Sequence, residues 1–208
     1  WKVCHSSVCS LRFLNGNNIE IISVSGFKAG DYLVTHDMVN RMQKAEFVEI
    51  KFVKEDGHTI AALERLSMHD FSERIITSYD QEITGFSLIS ITDLAFVEIP
   101  ALTLGIARHV SIGQTVALIG YQYDNPGLTI KSGIISTVIH RNGNRYLQFD
   151  GSTIWGNSGS PLIDLKTNEV LGIIGYKLDR KNKSYEKMME ISHSNIKMLE
   201  KAQGEFDV

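Results

Sequence analysis

The chain has 208 residues, with 43% hydrophobic and 22% charged side chains, proportions ordinary for a soluble globular protein and suited to one large β domain or two small lobes sharing a core. A formal net charge of −3 argues against a surface that wraps nucleic acid. No apolar run reaches bilayer length and no signal peptide is visible; because the chain opens on Trp1, the expectation is a processed or trimmed piece of a longer one.

Cys4 and Cys9 are the only cysteines. A local disulfide and a pair of free thiols are both open, and the low count favours thiols in a reducing, intracellular compartment. Their spacing matches no metal motif, and His5 beside Cys4 is read as incidental. Short β-rich runs then follow one another: Ile19–Val24, Tyr32–Thr35, Phe47–Val53, Leu94–Ile99, Thr115–Gly120, Thr129–Val138, Tyr146–Phe149, Pro161–Leu165 and Val170–Tyr176. Many alternate apolar and polar residues, and Asn15-Gly16, Asp56-Gly57 and Asn142-Gly143 punctuate them. This spacing predicts an all-β barrel or sandwich and not βαβ units. Arg141 to Asn144 reads as a hairpin turn. A break near Ala101–His109 separates one β series from the next. Met188, Ile191, Ile196 and Leu199 change the period and predict an amphipathic C-terminal helix over about 186–202.

Chemistry concentrates in Gly156-Asn157-Ser158-Gly159-Ser160-Pro161. A serine hydroxyl is a weak nucleophile until a base and a prepared oxyanion site accompany it. Glycines on both sides let the backbone turn tightly and aim N–H groups at one point. These six residues resemble the nucleophile segment of trypsin-like serine proteases, with the longer stretch closest in pattern to the HtrA/V8 branch. His109 to Gly120 resembles that family's strand pair before the site, Thr129 to Ser136 its T-x-x-x-G-I-V-S strand, and Glu169 to Ile173 the strand lining its substrate channel. The resemblance covers roughly Gly30 to Gly175. It implies a chymotrypsin-like double β-barrel in a single domain, with an N-terminal barrel over about 1–103 and a C-terminal barrel over about 104–185. Ser158 is then the nucleophile, and the N–H groups of Gly156 and Ser158 form the oxyanion hole.

Thr92-Asp93-Leu94-Ala95-Phe96-Val97 resembles the segment whose aspartate orients the catalytic histidine, which makes Asp93 the third member. The extra stretch from roughly Glu64 to Gly85 is expected as a family-specific loop. The histidine itself departs from the pattern. Gly30 to Val39 resembles G-x-I-L-T-x-x-H-V, and a gapless alignment sets Met38 where the histidine belongs; a thioether is no base at neutral pH. His36, two positions earlier, is the replacement candidate, because Leu33-Val34-Thr35-His36 is similar to the shorter turn of some viral chymotrypsin-like proteases. Two readings stay open beside it: true loss of the base, and a base from His58, His69 or His109.

By the same resemblance Ser152 lies at the base of the specificity pocket, with Ile174, Gly175, Tyr176 and Lys177 along a wall. No aspartate sits at that base, so an uncharged or apolar substrate side chain is favoured. The sequence thus supports a serine endopeptidase acting through an acyl-enzyme on Ser158, or a catalytically silenced protease-fold module that binds a peptide by β-augmentation. No metal and no organic cofactor are implied. The expected partner is a polypeptide, with no nucleic acid and no membrane segment; oligomeric state is left open.

Overall fold

The structure is a computed structural model that describes residues 2–42, 44–79, 85–106, 109–123, 125–141 and 144–175. The helix expected over about 186–202 and the turn residues Asn142 and Gly143 lie outside these. After a short helix α1 (Lys2–Ser6), the strands β1 (Val8–Leu14), β2 (Glu20–Ala29), β3 (Tyr32–His36), β4 (Phe47–Val53), β5 (Ile60–Ser67), β6 (Ile75–Tyr79) and β7 (Phe86–Ser90) follow, with helix α2 (Met68–Glu73) between β5 and β6. The second series is β8 (Thr115–Gln122), β9 (Asn125–Arg141), β10 (Asn144–Asp150), β11 (Pro161–Asp164) and β12 (Val170–Ile173).

The first seven strands form one sheet in the order β5-β4-β1-β2-β3-β7-β6, and the last five another in the order β10-β9-β8-β11-β12. Every named strand pair is antiparallel. In β4, Val48, Ile50 and Phe52 are buried while Glu49 and Lys51 alternate with them, the period of two that gives a strand one apolar face. These residues join Cys9, Leu11 and Phe13 of β1 in the core of the first sheet. Phe71 of α2 closes it edge-on against Phe13, centroids 5.8 Å apart. Each such fully buried side chain contributes about 1.5–3 kcal/mol. β8 is buried continuously from Val116 to Tyr121, because it is covered on both faces. Val116 packs with Ile135 and Leu162. Ile119 and Tyr121 pack instead with Phe27 of β2 and Val34 of β3. That second cluster joins the two sheets.

Two stretches differ from their sequence expectation. Leu94 to Ile99, expected as a strand, is a run of turns. Its apolar residues Leu94, Phe96 and Ile99 are still buried, and Lys28 Nζ ties the turns by donating to the carbonyls of Phe96 and Ile99, both at 2.8 Å. The stretch from Glu64 to Gly85, expected as a loop, contains the end of β5, α2 and β6, and β6 adds an outer strand beside β7. Ser67 starts α2 by accepting from the Asp70 N–H at 3.1 Å, an N-cap. Cys4 and Cys9 are free thiols, both buried. Burial pushes both thiols up from their ordinary range.

Candidate active site

Ser158 sits in a loop that the two sheets hold from several sides. Gly156 and Gly159 have φ of 95° and 86°, in the region where a Cβ is strained. At Gly159 a Cβ would also lie 1.9 Å from the Ser25 carbonyl oxygen. Asn157, almost fully buried, clamps the loop from inside: its Nδ2 donates to the Tyr121 carbonyl at 2.8 Å, and its Oδ1 accepts from the Ile154 N–H at 3.0 Å and from Lys131 Nζ at 3.2 Å. Ile174 grips the other end, accepting from the Gly159 N–H and donating to the Ser160 carbonyl.

Ser25, on β2 of the first sheet, makes four bonds at this junction. Its N–H donates to the Ser158 carbonyl at 2.8 Å. Its hydroxyl donates to the Gly156 carbonyl and accepts from the Tyr121 N–H, both at 2.8 Å. Its own carbonyl accepts from Thr35 Oγ1 at 2.7 Å. Asn157, Gly159 and Ser160 therefore have their N–H groups engaged, whereas those of Gly156 and Ser158 donate to no described residue. Two such N–H groups, one on the serine itself and one two residues before it, are what an oxyanion site requires.

His36 follows Thr35 directly, at the end of β3. Alternation places it on the face of Val34, which packs toward the second sheet. Its side chain is 14% exposed. Nδ1 accepts from the Met38 N–H at 3.0 Å and lies 2.9 Å from Asp37 Oδ1, so His36 caps the 3₁₀ turn Asp37–Arg41. Met38, which a gapless reading of the sequence sets against the family's histidine, packs against the core of the first sheet. Asp93 is not bonded to His36. Both its oxygens are held by the Arg74 guanidinium, one of them at 2.8 Å, while the side chain stays 62% exposed. The Arg74 hydrogen bonds hold the Asp93 carboxyl below its ordinary range. His58 and His69 are exposed and lie near Asp56 and Glu73. His109 lines a cavity with Ile106, Gln114, Asp164 and Glu169 that includes no residue of the Ser158 loop.

The sequence pattern of the trypsin-like peptidase domain matches residues 25–173. The chain belongs to that family. A solved structure similar to this trypsin-like peptidase domain is a serine-to-alanine variant of the HtrA-type protease AlgW with a tripeptide, at a TM-score of 0.58 and 20% identity over 82% of this chain. The match covers 50% of the AlgW chain, so the peptidase domain described here spans half that length. The likeness establishes the fold, two curled sheets in the chymotrypsin-like double-barrel arrangement. No curated protein sequence matches significantly.

Of the specificity residues expected for this peptidase domain, Ser152 is exposed, Ile174 and Gly175 are partly buried, and Tyr176 and Lys177 lie outside the described residues. Sequence reasoning missed Ser25, Thr35, Asn157 and Arg74. Asn157 stood inside the recognised motif. Ser25 and Arg74 carry no local signal, because their partners lie far along the chain: Tyr121 and Gly156 for Ser25, and Asp93 for Arg74.

Proposed function

We propose that this trypsin-like peptidase domain is a serine endopeptidase in which Ser158 is the nucleophile and His36 the general base. Ser158 Oγ attacks the scissile carbonyl carbon as its proton passes to His36 Nε2, and the carbonyl oxygen becomes an oxyanion facing the Gly156 and Ser158 N–H groups. Collapse breaks the C–N bond, His36 returns the proton to the leaving amine, and water then hydrolyses the ester on Ser158 by the same base. The observation that carries this reading is the pair of open N–H donors beside Ser158, in a loop braced by Ser25. His36 supports it by its position next to Thr35, whose hydroxyl closes that brace. With no aspartate at Ser152, the substrate side chain is uncharged or apolar.

A silenced peptide-binding scaffold is the second reading. What favours it is Met38, packed into the core, together with Asp93 bound to Arg74. In that case an extended peptide adds beside the Gly172–Ile173 end of β12, whose Val170 end is already bonded to Thr103 and Gly105.

Labelling by a fluorophosphonate probe, read by intact mass, separates the two. Rapid addition of one probe, abolished in Ser158→Ala and reduced about 10²-fold or more in His36→Ala, supports the peptidase. Absence of labelling in folded protein favours the scaffold. Labelling that survives His36→Ala moves the base elsewhere.

A further inference from the structure

The His36 ring nitrogen Nδ1 faces two neighbours with opposite demands. The Met38 N–H, 3.0 Å away, needs a lone pair on Nδ1. The Asp37 carboxylate, 2.9 Å away, needs a proton there. A neutral imidazole carries one ring proton, so it satisfies one neighbour at a time. If Met38 wins, the proton sits on Nε2 and the ring cannot accept a proton there. If Asp37 wins, the proton sits on Nδ1 and Nε2 has the lone pair that a general base uses.

We propose that Asp37 is the positioning residue of this site: it selects the Nδ1–H tautomer of His36 against the pull of the Met38 N–H. In doing so it takes over the orienting role that the family pattern assigns to the position of Asp93. The functional half of this inference rests on the peptidase reading above. Asp37 is suited to the task by burial, its side chain being 4% exposed, because water screens a buried carboxylate–imidazole contact far less than a surface one. Asp93 is unsuited, being 62% exposed and held at both oxygens by Arg74. The proton account closes simply. When Ser158 gives its proton to Nε2, the ring becomes an imidazolium with Nδ1–H on Asp37, and the carboxylate faces the new charge without taking a proton.

The test reads the tautomer directly, by long-range ¹H–¹⁵N spectra of the ¹⁵N-labelled 208-residue chain, with the His36 signals assigned by their loss in His36→Ala. The starting protein should show Nδ1 protonated and Nε2 bare at neutral pH. Asp37→Asn should move the proton to Nε2, Asp37→Glu should restore the starting pattern at least in part, and Asp93→Asn should leave it unchanged. A starting protein already in the Nε2–H form overturns the proposal without recourse to any variant, and so does a pattern indifferent to Asp37→Asn. Fluorophosphonate labelling of the same samples gives the functional arm: about 10²-fold slower for Asp37→Asn, within about twofold for Asp93→Asn. A reversed order, with Asp93→Asn the slower, overturns the assignment as well. If the starting protein does not label, the peptidase reading falls, and the tautomer spectra still decide Asp37.

Discussion

The loop around Ser158 and the segment around His36 treat the same family pattern in opposite ways. From Ile154 to Ser160 the pattern is kept, and each kept residue has a structural reason: two glycines at positive φ, a buried Asn157 clamping three partners, and Ser25 bonded to the loop from the other sheet. From His36 to Met38 the gapless reading of the pattern meets a core-packing methionine where it expects histidine, and Asp93 is bound by Arg74, the residue that caps the end of α2. The contrast follows from what each segment must do. Aiming two N–H groups and a hydroxyl at one point demands a single backbone shape, which few residues permit. A base need only present a lone pair at one point, a demand that fixes less of the backbone around it.

The sharpest way to break the comparison is at the conserved-shape end. Gly159→Ala sets a methyl against the Ser25 carbonyl at a positive φ; we expect a loss of at least about 3 kcal/mol in urea unfolding, with labelling of Ser158 abolished. Next in size, Asn157→Ala strips the Tyr121 carbonyl and the Ile154 N–H of their partner, at about 2–3 kcal/mol by the same measurement. Ser25→Ala leaves the Tyr121 N–H and Gly156 carbonyl unpaired across the sheet junction, for about 1–3 kcal/mol; its labelling rate should fall further than that of a surface control of equal stability. A fall no greater than the control's would mean that the brace stabilises the fold without aligning the loop.

The smallest effect lies at the divergent end. The Asp93 carboxyl is held below its ordinary range by Arg74. A depressed carboxylate favours the folded state above its unfolded titration range, and that contribution is lost as pH falls through the folded value. Arg74→Ala should therefore raise the Asp93 titration midpoint, followed by carboxyl ¹³C shifts, and flatten that part of the acid unfolding profile. At neutral pH the stability change should be slight, since the pair is exposed. Labelling of Ser158 should be unaffected. A large rate change in this variant would return Asp93 to the active centre.

Much of this was legible in the sequence, and the exceptions share a cause. The strands showed through period-two alternation, as in Phe47–Val53, and the Ser158 loop through its glycines. Leu94 to Ile99 misled because Leu94, Phe96 and Ile99 look like a strand's apolar face. They reach the core through turns fastened by Lys28, 68 positions away from Phe96. The stretch at Glu64–Gly85 has ordinary helix and strand residues but no match to the pattern, so absence of resemblance stood in for absence of structure. At the site, Ser158 and Gly156 were picked out by the resemblance of Gly156 to Pro161 to the family's nucleophile segment. Ser25 and Arg74 act through partners brought near by the fold, and no local spacing announces them. Asp37 was adjacent to His36 in plain view. Its significance depends on the strand ending at His36 and the chain turning there, so that two consecutive side chains meet.

The bonds of Ser25 also bear on when, during folding, the Ser158 loop takes its shape. Ser158 belongs to a loop whose shape is completed by β2 from the first series and by Ile174, directly after the last strand of the second. A chain still being synthesised, or one with a single sheet formed, lacks one half of that frame. Such an intermediate holds the serine without holding its direction. On the peptidase reading proposed above, Ser158 is therefore aimed only once the two sheets have docked.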